Sequence, residues 1–501
     1  MLHDDDSYGF FKDKDFLILI KGLAIFRKIR HSKFKEKVKI ILKIILNLFG
    51  LKKPLYIAPY REDLKIYEML KDISIKKRVE LQCCEDFETK ELNNIEKKIT
   101  NAMLDRIPPK MTLTCGDEYI ALMVESLDRG GLEKVVAILA RKLRERSISI
   151  KIFCCKACGE TATQLKSEGF EIINFSGNRA HFKKYIENYR PCLVNTHFVK
   201  SFLDILYYKE IPIIETIHNM YLFMDSKRIA LEQKKDMYIS SYIAVSNAVK
   251  ETFISKICKN STNKIAVVGN AVEVSEKKLN NKNVMREKLD IPENAVVFIC
   301  VGSIDPRKNQ IGIIRAFDIF CSLVPKDPYL IFLGNIIDKE YANRVEKLLE
   351  SKKIRKNIKL MPFSNDVYSY LNASDVFVLN SYYEGWSIAA TEALYCGLPI
   401  IHSKCGSGEE LTKDGVNGIL INNPCNKLNE LLVYDLIDYM SAGINDNIEE
   451  LVCAFCKVYW SIESWRAKKE NIKLEAFNEF NIEVMINQYL EIYEKETTNR
   501  K

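Results

Sequence analysis

Asn380-Ser-Tyr-Tyr-Glu-Gly-Trp-Ser-Ile-Ala-Ala-Thr-Glu-Ala-Leu-Tyr-Cys-Gly-Leu-Pro399 is the stretch from which the rest of the chain is read. Ahead of it, Asp375-Val-Phe-Val-Leu379 has the composition of a short buried strand, and behind the loop Ile388 to Tyr395 joins good helix formers closed by Gly397 and Pro399. The order is strand, tight loop, helix. Gly385 permits a sharp turn, and Ser387 can cap a helix whose first amides, at Ser387 and Ile388, face the crevice at the carboxyl end of the strand. Such a helix start attracts phosphate. Glu384 falls in the loop at the mouth of that site and Glu392 roughly 12 Å further along the helix. Two carboxylates flanking an anion site point to hydroxyl recognition on either side of a phosphate. Taken alone, the pair also reads as two ordinary solvated acids, the usual state of carboxylates.

The whole run resembles the E-x7-E segment of retaining glycosyltransferases of the GT-B fold, in particular glycosyltransferase family 4, with Trp386 and Ser387 where Phe and Gly are usual. The resemblance implies that Glu384 contacts the donor sugar and Glu392 the ribose of the nucleotide. It also implies an α/β protein of two Rossmann-like domains facing a central cleft.

Composition is compatible with that size. The chain has 501 residues, 47% of them hydrophobic, enough for two or more cores. Its 15 cysteines are odd in number and scattered, with clusters only at Cys83-Cys84, Cys154-Cys155-x-x-Cys158 and Cys453-x-x-Cys456. None has the matched knuckle spacing of a zinc site, so reduced structural thiols in a cytosolic protein are expected, with no metal. No stretch reaches the roughly 18 uninterrupted apolar residues of a membrane span, and the acidic start Met-Leu-His-Asp-Asp-Asp has the wrong charge for a signal peptide.

From Lys21 to Lys53 the only acid among many basic residues is Glu36, while Leu23, Phe26, Ile29, Phe34, Val38, Ile41, Leu42 and Ile45 recur mostly at three- and four-residue steps. The pattern is a basic amphipathic helix that can lie on an anionic membrane, or equally a solvated face docked on the protein. Nucleic acid is not expected, because no helix-turn-helix or aromatic strand pair accompanies the charge. Residues 61–118 carry no motif.

At Tyr119 the texture changes. The strand Tyr119 to Val124, a loop containing Gly130-Gly131, the helix Leu132 to Arg146 and the strand Ile148 to Phe153 make a βαβ unit. Gly130 and Gly131 permit close approach of a ligand, and they resemble the family's loop facing the donor diphosphate. Later strands end on Thr196-His197, His218-Asn219 and Ser246-Asn247, polar tips at the carboxyl edge of a sheet. Glu215-Thr-Ile-His218 is similar to the family's Thr-x-His strand end, whose histidine sits near the sugar and its phosphate. His197 reads either as a hydrogen-bonded strand end or as a sugar or acceptor contact. Lys264 to Glu273 resembles the family's passage into the second domain; Asn270 matches as a possible acceptor contact, and Ala271 and Glu273 replace Gly and Asp.

Charged Glu276 to Asn283 reads as the linker. The second domain opens with the strand Val296 to Val301, then Arg307-Lys308-Asn309 before a helix, so that Arg307 and Lys308 can reach a diphosphate. Lys308-Asn309 fits the family's Lys-Gly/Asn pattern, and Ser303 occupies the usual arginine position, so that either Arg307 stands in for that arginine or the grip on the diphosphate is weaker. The expected division is 1–60 basic helical segment, 61–118 extension, 119–275 acceptor-side domain, 284–475 nucleotide-sugar domain, and 476–495 a helix crossing back to the first domain.

The resemblance thus implies a retaining, metal-independent glycosyltransferase needing no cofactor. Its donor would be a UDP- or GDP-linked sugar and its acceptor a saccharide or lipid-linked saccharide. It would serve surface polysaccharide or glycoconjugate synthesis at the cytoplasmic face of a membrane. A nucleotide-sugar epimerase of similar shape and a membrane-bound scaffold with a vestigial site are the rival readings.

Overall fold

The computed structural model describes residues 118–258, 262–273, 282–351, 353–428 and 430–498. The basic segment, the extension up to residue 117 and most of the linker therefore lie outside the described residues.

Seven parallel strands make the first sheet: β1 (Ile120–Leu127), β2 (Ile150–Cys158), β3 (Glu171–Asn174), β4 (Leu193–His197), β5 (Ile213–Ile217), β6 (Ser241–Ala244) and β7 (Ile265–Val267), in the order β3-β2-β1-β4-β5-β6-β7. Six more make the second: β8 (Val297–Val301), β9 (Tyr329–Leu333), β10 (Ile358–Met361), β11 (Val376–Leu379), β12 (Ile400–Ser403) and β13 (Gly418–Ile421), in the order β10-β9-β8-β11-β12-β13. The strands read as unbroken apolar runs because both faces are covered. Alternate residues of β1 enter opposite cores, Ala121 and Met123 on one face, Ile120, Leu122 and Val124 on the other. In each sheet the chain runs outward from the middle and then returns to the other side, β1 to β4 and β8 to β11. That reversal opens a crevice at the carboxyl ends of the strands.

β2 runs further than the expected Ile148 to Phe153, and takes in the cysteine cluster: Cys154 and Cys155 are buried and in no disulfide, as are Cys453 and Cys456 in the helix Ile448–Trp460. At the start of β11, Asp375 accepts from Val297 N at 2.9 Å and from Arg286 Nη2 at 2.8 Å, with Arg466 Nη2 at 3.0 Å. These bonds tie β11 to β8 behind the loops that carry the site.

The helix Ile482–Thr498 packs on the first sheet. Met485, Ile486, Tyr489, Leu490 and Tyr493 join the core over β1, Tyr493 Oη donates to Asn195 Oδ1 at 2.7 Å, and Arg146 pairs with Glu483 at 2.7 Å. Among the described residues no helix is long and apolar enough to cross a membrane.

Candidate active site

The turn after β8 is built to aim two cations. Asp305 accepts from Arg307 N at 3.0 Å, Pro306–Lys308 forms one 3₁₀ turn, and Asn309 takes a left-handed φ of 55° while its side chain caps the next helix through Gly312 N at 3.1 Å. Lys308 Nζ then reaches Glu384 Oε1 at 2.6 Å, and Arg307 Nη1 lies 3.6 Å from Glu384 Oε2. Glu384 lies in the loop between β11 and the helix Ile388–Tyr395, as expected, and is buried there at 5% exposure, where it makes this ion pair. Burial by itself would raise its pKa; the Lys308 and Arg307 charges outweigh burial and hold the carboxyl at about 2. The group is a carboxylate at any physiological pH.

Ser387 caps the helix Ile388–Tyr395 as expected, accepting from Ala390 N at 3.2 Å. Its own amide differs from expectation. Ser387 N donates to Ser407 Oγ at 3.0 Å and Ile388 N to the Trp386 carbonyl at 3.1 Å, so neither is free for an anion in this state. The cause is the loop after β12, which tucks Ser407 against the helix start. The positive charge near Glu384 is therefore carried by the side chains of Lys308 and Arg307.

From the first sheet, a β-carbon placed on Gly131 would lie 3.9 Å from Ile388 Cγ1, so the Gly130-Gly131 loop faces the helix start. Lys134, in the first turn of the helix Gly131–Glu145, reaches Glu392 Oε1 at 3.0 Å. Gly385 lies against the His218 carbonyl so closely that any side chain there would collide with it. His218 Nε2 is 2.8 Å from His197 Nδ1, with the rings stacked at 5.1 Å. Burial lowers the pKa of His218 to about 3 and, with its neighbour, depresses that of His197 well below the usual value, so both imidazoles are neutral. His197 is buried, and its Nε2 has no protein partner. Asn270 is likewise buried with Oδ1 unpartnered; the preceding Gly269 packs on the Trp386 ring, whose Nε1 donates to Thr391 at 2.9 Å. One cleft thus collects Glu384, Arg307, Lys308, Ser387, Ile388 and Glu392 from the second sheet, and Gly130, Gly131, His218 and His197 from the first, with Asn270 at the crossing. Among the described residues, no group of three or more His, Cys, Asp or Glu side chains is placed to hold a metal ion.

Residues 281–434 match the family described as glycosyl transferases group 1, and residues 129–276 match glycosyltransferase family 4. The chain belongs to the group 1 glycosyltransferases. It is 30% identical over 221 residues, 42% of this chain and 56% of the relative, to the UDP-Gal:alpha-D-GlcNAc-diphosphoundecaprenol alpha-1,3-galactosyltransferase of Escherichia coli. It is 28% identical over 280 residues to an uncharacterised glycosyltransferase of Methanocaldococcus jannaschii, covering 52% of this chain and 64% of the relative. Both matches span less than two thirds of the relative's length. Among solved structures, Anabaena HepE in complex with UDP is similar at a TM-score of 0.60 and 17% identity, over 74% of this chain and 98% of HepE. Sucrose-phosphate synthase from Thermosynechococcus elongatus is similar at 0.59 and 17%, over 76% of this chain and all of that one. The two facing sheets are the GT-B fold.

Reading the sequence of this group 1 glycosyltransferase missed three residues that the cleft brings in, Lys134, Glu410 and Arg129. Lys134 was signalled by its place three residues beyond Gly131, on the same helix face. Glu410, in the short helix Gly408–Leu411, accepts from Asn247 N at 2.6 Å across the cleft, and nothing in the sequence signals that partner. The Arg129 guanidinium lies 5.6 Å over the Phe363 ring, a contact between domains that no spacing predicts.

Proposed function

We propose that this protein transfers a sugar from a nucleotide-diphosphate donor to a saccharide or lipid-linked saccharide, with retention at the anomeric carbon. The observation that carries the reading is the Lys308–Glu384–Arg307 cluster, whose next residue, Gly385, packs on the His218 carbonyl across the cleft. Two cations with a permanently ionised carboxylate between them suit a donor whose diphosphate takes the cations and whose sugar hydroxyls take the carboxylate. In this mechanism Arg307 and Lys308 stabilise the charge that grows on the diphosphate as the bond from its oxygen to the anomeric carbon breaks. The acceptor hydroxyl oxygen bonds to that carbon from the same face, and its proton passes to the departing phosphate oxygen. Glu384 orients the donor sugar; Glu392 exchanges Lys134 for the ribose hydroxyls. No step draws on a metal ion or cofactor. Neutral His218 donates a hydrogen bond without adding charge.

UDP is the proposed nucleotide, supported by the UDP-Gal specificity named for the E. coli relative and the UDP bound to HepE. The relative's diphosphoundecaprenol acceptor supports a lipid-linked one here. A role in surface polysaccharide synthesis at the cytoplasmic face of the membrane, with residues 21–53 touching anionic lipid, extends the reading to the basic segment. The first experiment is thermal stabilisation by UDP, GDP, ADP and their sugars, with Glu392→Ala alongside. Stabilisation by UDP that the variant loses is expected. Absence of a shift with every nucleotide would remove the proposal, and a product of inverted anomeric configuration by NMR would remove retention from it. For the basic segment, deletion of residues 1–53 should abolish sedimentation with anionic liposomes; unchanged sedimentation rules out that contact.

A further inference from the structure

The carboxyl ends of β4 and β5 carry backbone that sterics disfavour. Phe198, Phe202 and Tyr221 have φ of 58°, 66° and 56°, the left-handed region that bulky side chains avoid. Strain of this kind persists only where surrounding bonds over-determine it, and it gathers at functional sites. The bonds are present. Glu125 Oε1 accepts from Lys200 N at 2.7 Å, from Ser201 N at 3.0 Å and from Ser201 Oγ at 3.0 Å, while buried Lys235 donates to the Val199 carbonyl at 3.2 Å.

These loops present an aromatic group beside the histidine pair. Phe198 follows His197 directly, its ring centroid is 5.6 Å from Tyr221 and 6.4 Å from Phe223, and the rings of Phe198 and Phe223 are only half-buried. Charge in the neighbourhood is largely matched: Lys156 meets Glu125 at 2.9 Å, Lys235 meets Glu215 at 2.6 Å and Glu232 at 2.8 Å, and Lys200, whose exposed ammonium lies 5.4 Å over the Phe198 ring and would swing aside for a sugar, is 4.0 Å from Glu232. An uncharged, hydroxyl-rich ring fits such a surface better than a phosphate does.

We infer that Phe198 and Phe223 form a stacking platform for the pyranose ring of the saccharide acceptor, holding its nucleophilic hydroxyl beside His218. The inference rests on the glycosyltransferase reading. The Phe198 and Phe223 ring planes are 54° apart, so the flat carbon-hydrogen face of the sugar lies on one ring while the other closes its edge, and the pinned backbone of 197–202 holds Phe198 in place before the acceptor arrives, which lowers the cost of binding.

The test uses the full-length protein, since the acceptor is unidentified, with the methyl glycosides of glucose, galactose, mannose and N-acetylglucosamine as probes. Saturation-transfer NMR is recorded in the presence of UDP for the parent, for Phe198→Leu with Phe223→Leu, and for Phe198→Trp. The leucine pair keeps apolar volume and removes the flat rings. At least one glycoside should bind the parent, bind the leucine pair about tenfold more weakly, and bind the tryptophan variant with its affinity retained. Thermal stabilisation by UDP should be the same in all three. Equal glycoside binding by the parent and the leucine pair would overturn the platform, as would no binding to a parent that UDP still stabilises. A parent that no nucleotide stabilises instead overturns the glycosyltransferase reading itself.

Discussion

At the scale of the residue, Glu384 is decided by its partners. A carboxylate at 5% exposure is costly unless paired, and removing one partner of a buried pair typically costs about 3–5 kcal/mol because the other charge is left uncompensated. Lys308→Met should therefore lower the unfolding free energy by about 3 kcal/mol in urea titration, and adding Glu384→Gln to it should recover part of the loss. A second loss of similar size on adding Glu384→Gln would show that the pair does not act as a unit. His402 offers a pH test. It is fully buried at the end of β12, and burial first of all lowers its pKa to about 4 from the ordinary 6.5. Between those values the unfolded chain binds a proton that the folded chain does not, so stability falls as pH drops from 6.5 to 4, by up to about 1.4 kcal/mol per unit. His218 and His197 add to the same slope, so His402→Asn should make the stability profile shallower in that window without flattening it; parallel profiles would show that His402 contributes nothing there. Glu384 acts lower, its contribution being present above the usual carboxylate range and lost as pH falls toward 2.

At the scale of the element, the strand, loop and helix around Glu384 were legible because each signal is local: an apolar run, a glycine, a cap, a glycine-proline stop. Ser387 caps through a residue three positions on. The occupation of its amide was not legible, because Ser407 arrives from the loop after the next strand. The same holds at Gly385, where the requirement for glycine comes from the His218 carbonyl of the other domain. Gly385→Ala should displace the loop bearing Glu384 from His218 and cost about a hundredfold in transfer rate, since small misplacements of reacting groups carry penalties of that order. Its circular dichroism should match the parent's. Full activity in this variant would mean that the two loops need not touch during turnover.

At the scale of the whole molecule, two kinds of contact hold the sheets face to face. Lys134 pairs with Glu392; the lysine side chain is 53% exposed while Glu392 is buried, so the pair falls between an exposed one, worth up to about 1 kcal/mol, and a buried one, whose loss costs about 3 kcal/mol or more. One apolar cluster joins Tyr221 and Tyr242 of the first domain to Tyr382, Tyr383 and Met440 of the second, and burial of that kind outweighs the ion pair. Lys134→Met should lower stability by about 1–3 kcal/mol, because Glu392 is left unpaired, and leave the radius of gyration by X-ray scattering unaltered. Expansion of the molecule would assign closure to the ion pair instead. Deleting residues from Ile482 onward strips Tyr493 from Asn195 and Glu483 from Arg146 and bares the core over β1, so that chain should be recovered insoluble. A soluble, two-sheet truncation would show that the last helix is an addition to a complete domain.

The sequence by itself determined the alternation of apolar strands and helices, the glycine loops, the helix cap and the carboxylate pair, because these depend on neighbours within a turn or two. Tertiary structure decided what those residues became. Lys308 and Glu384 are 76 positions apart, Lys134 and Glu392 258, and His197 and His218 lie on adjacent strands 21 apart. Bringing them together depends on strand order and domain apposition, which arise from burying whole faces of sheet. The charge on Glu384, the neutrality of the two histidines and the engaged amides at the helix start all follow from that burial.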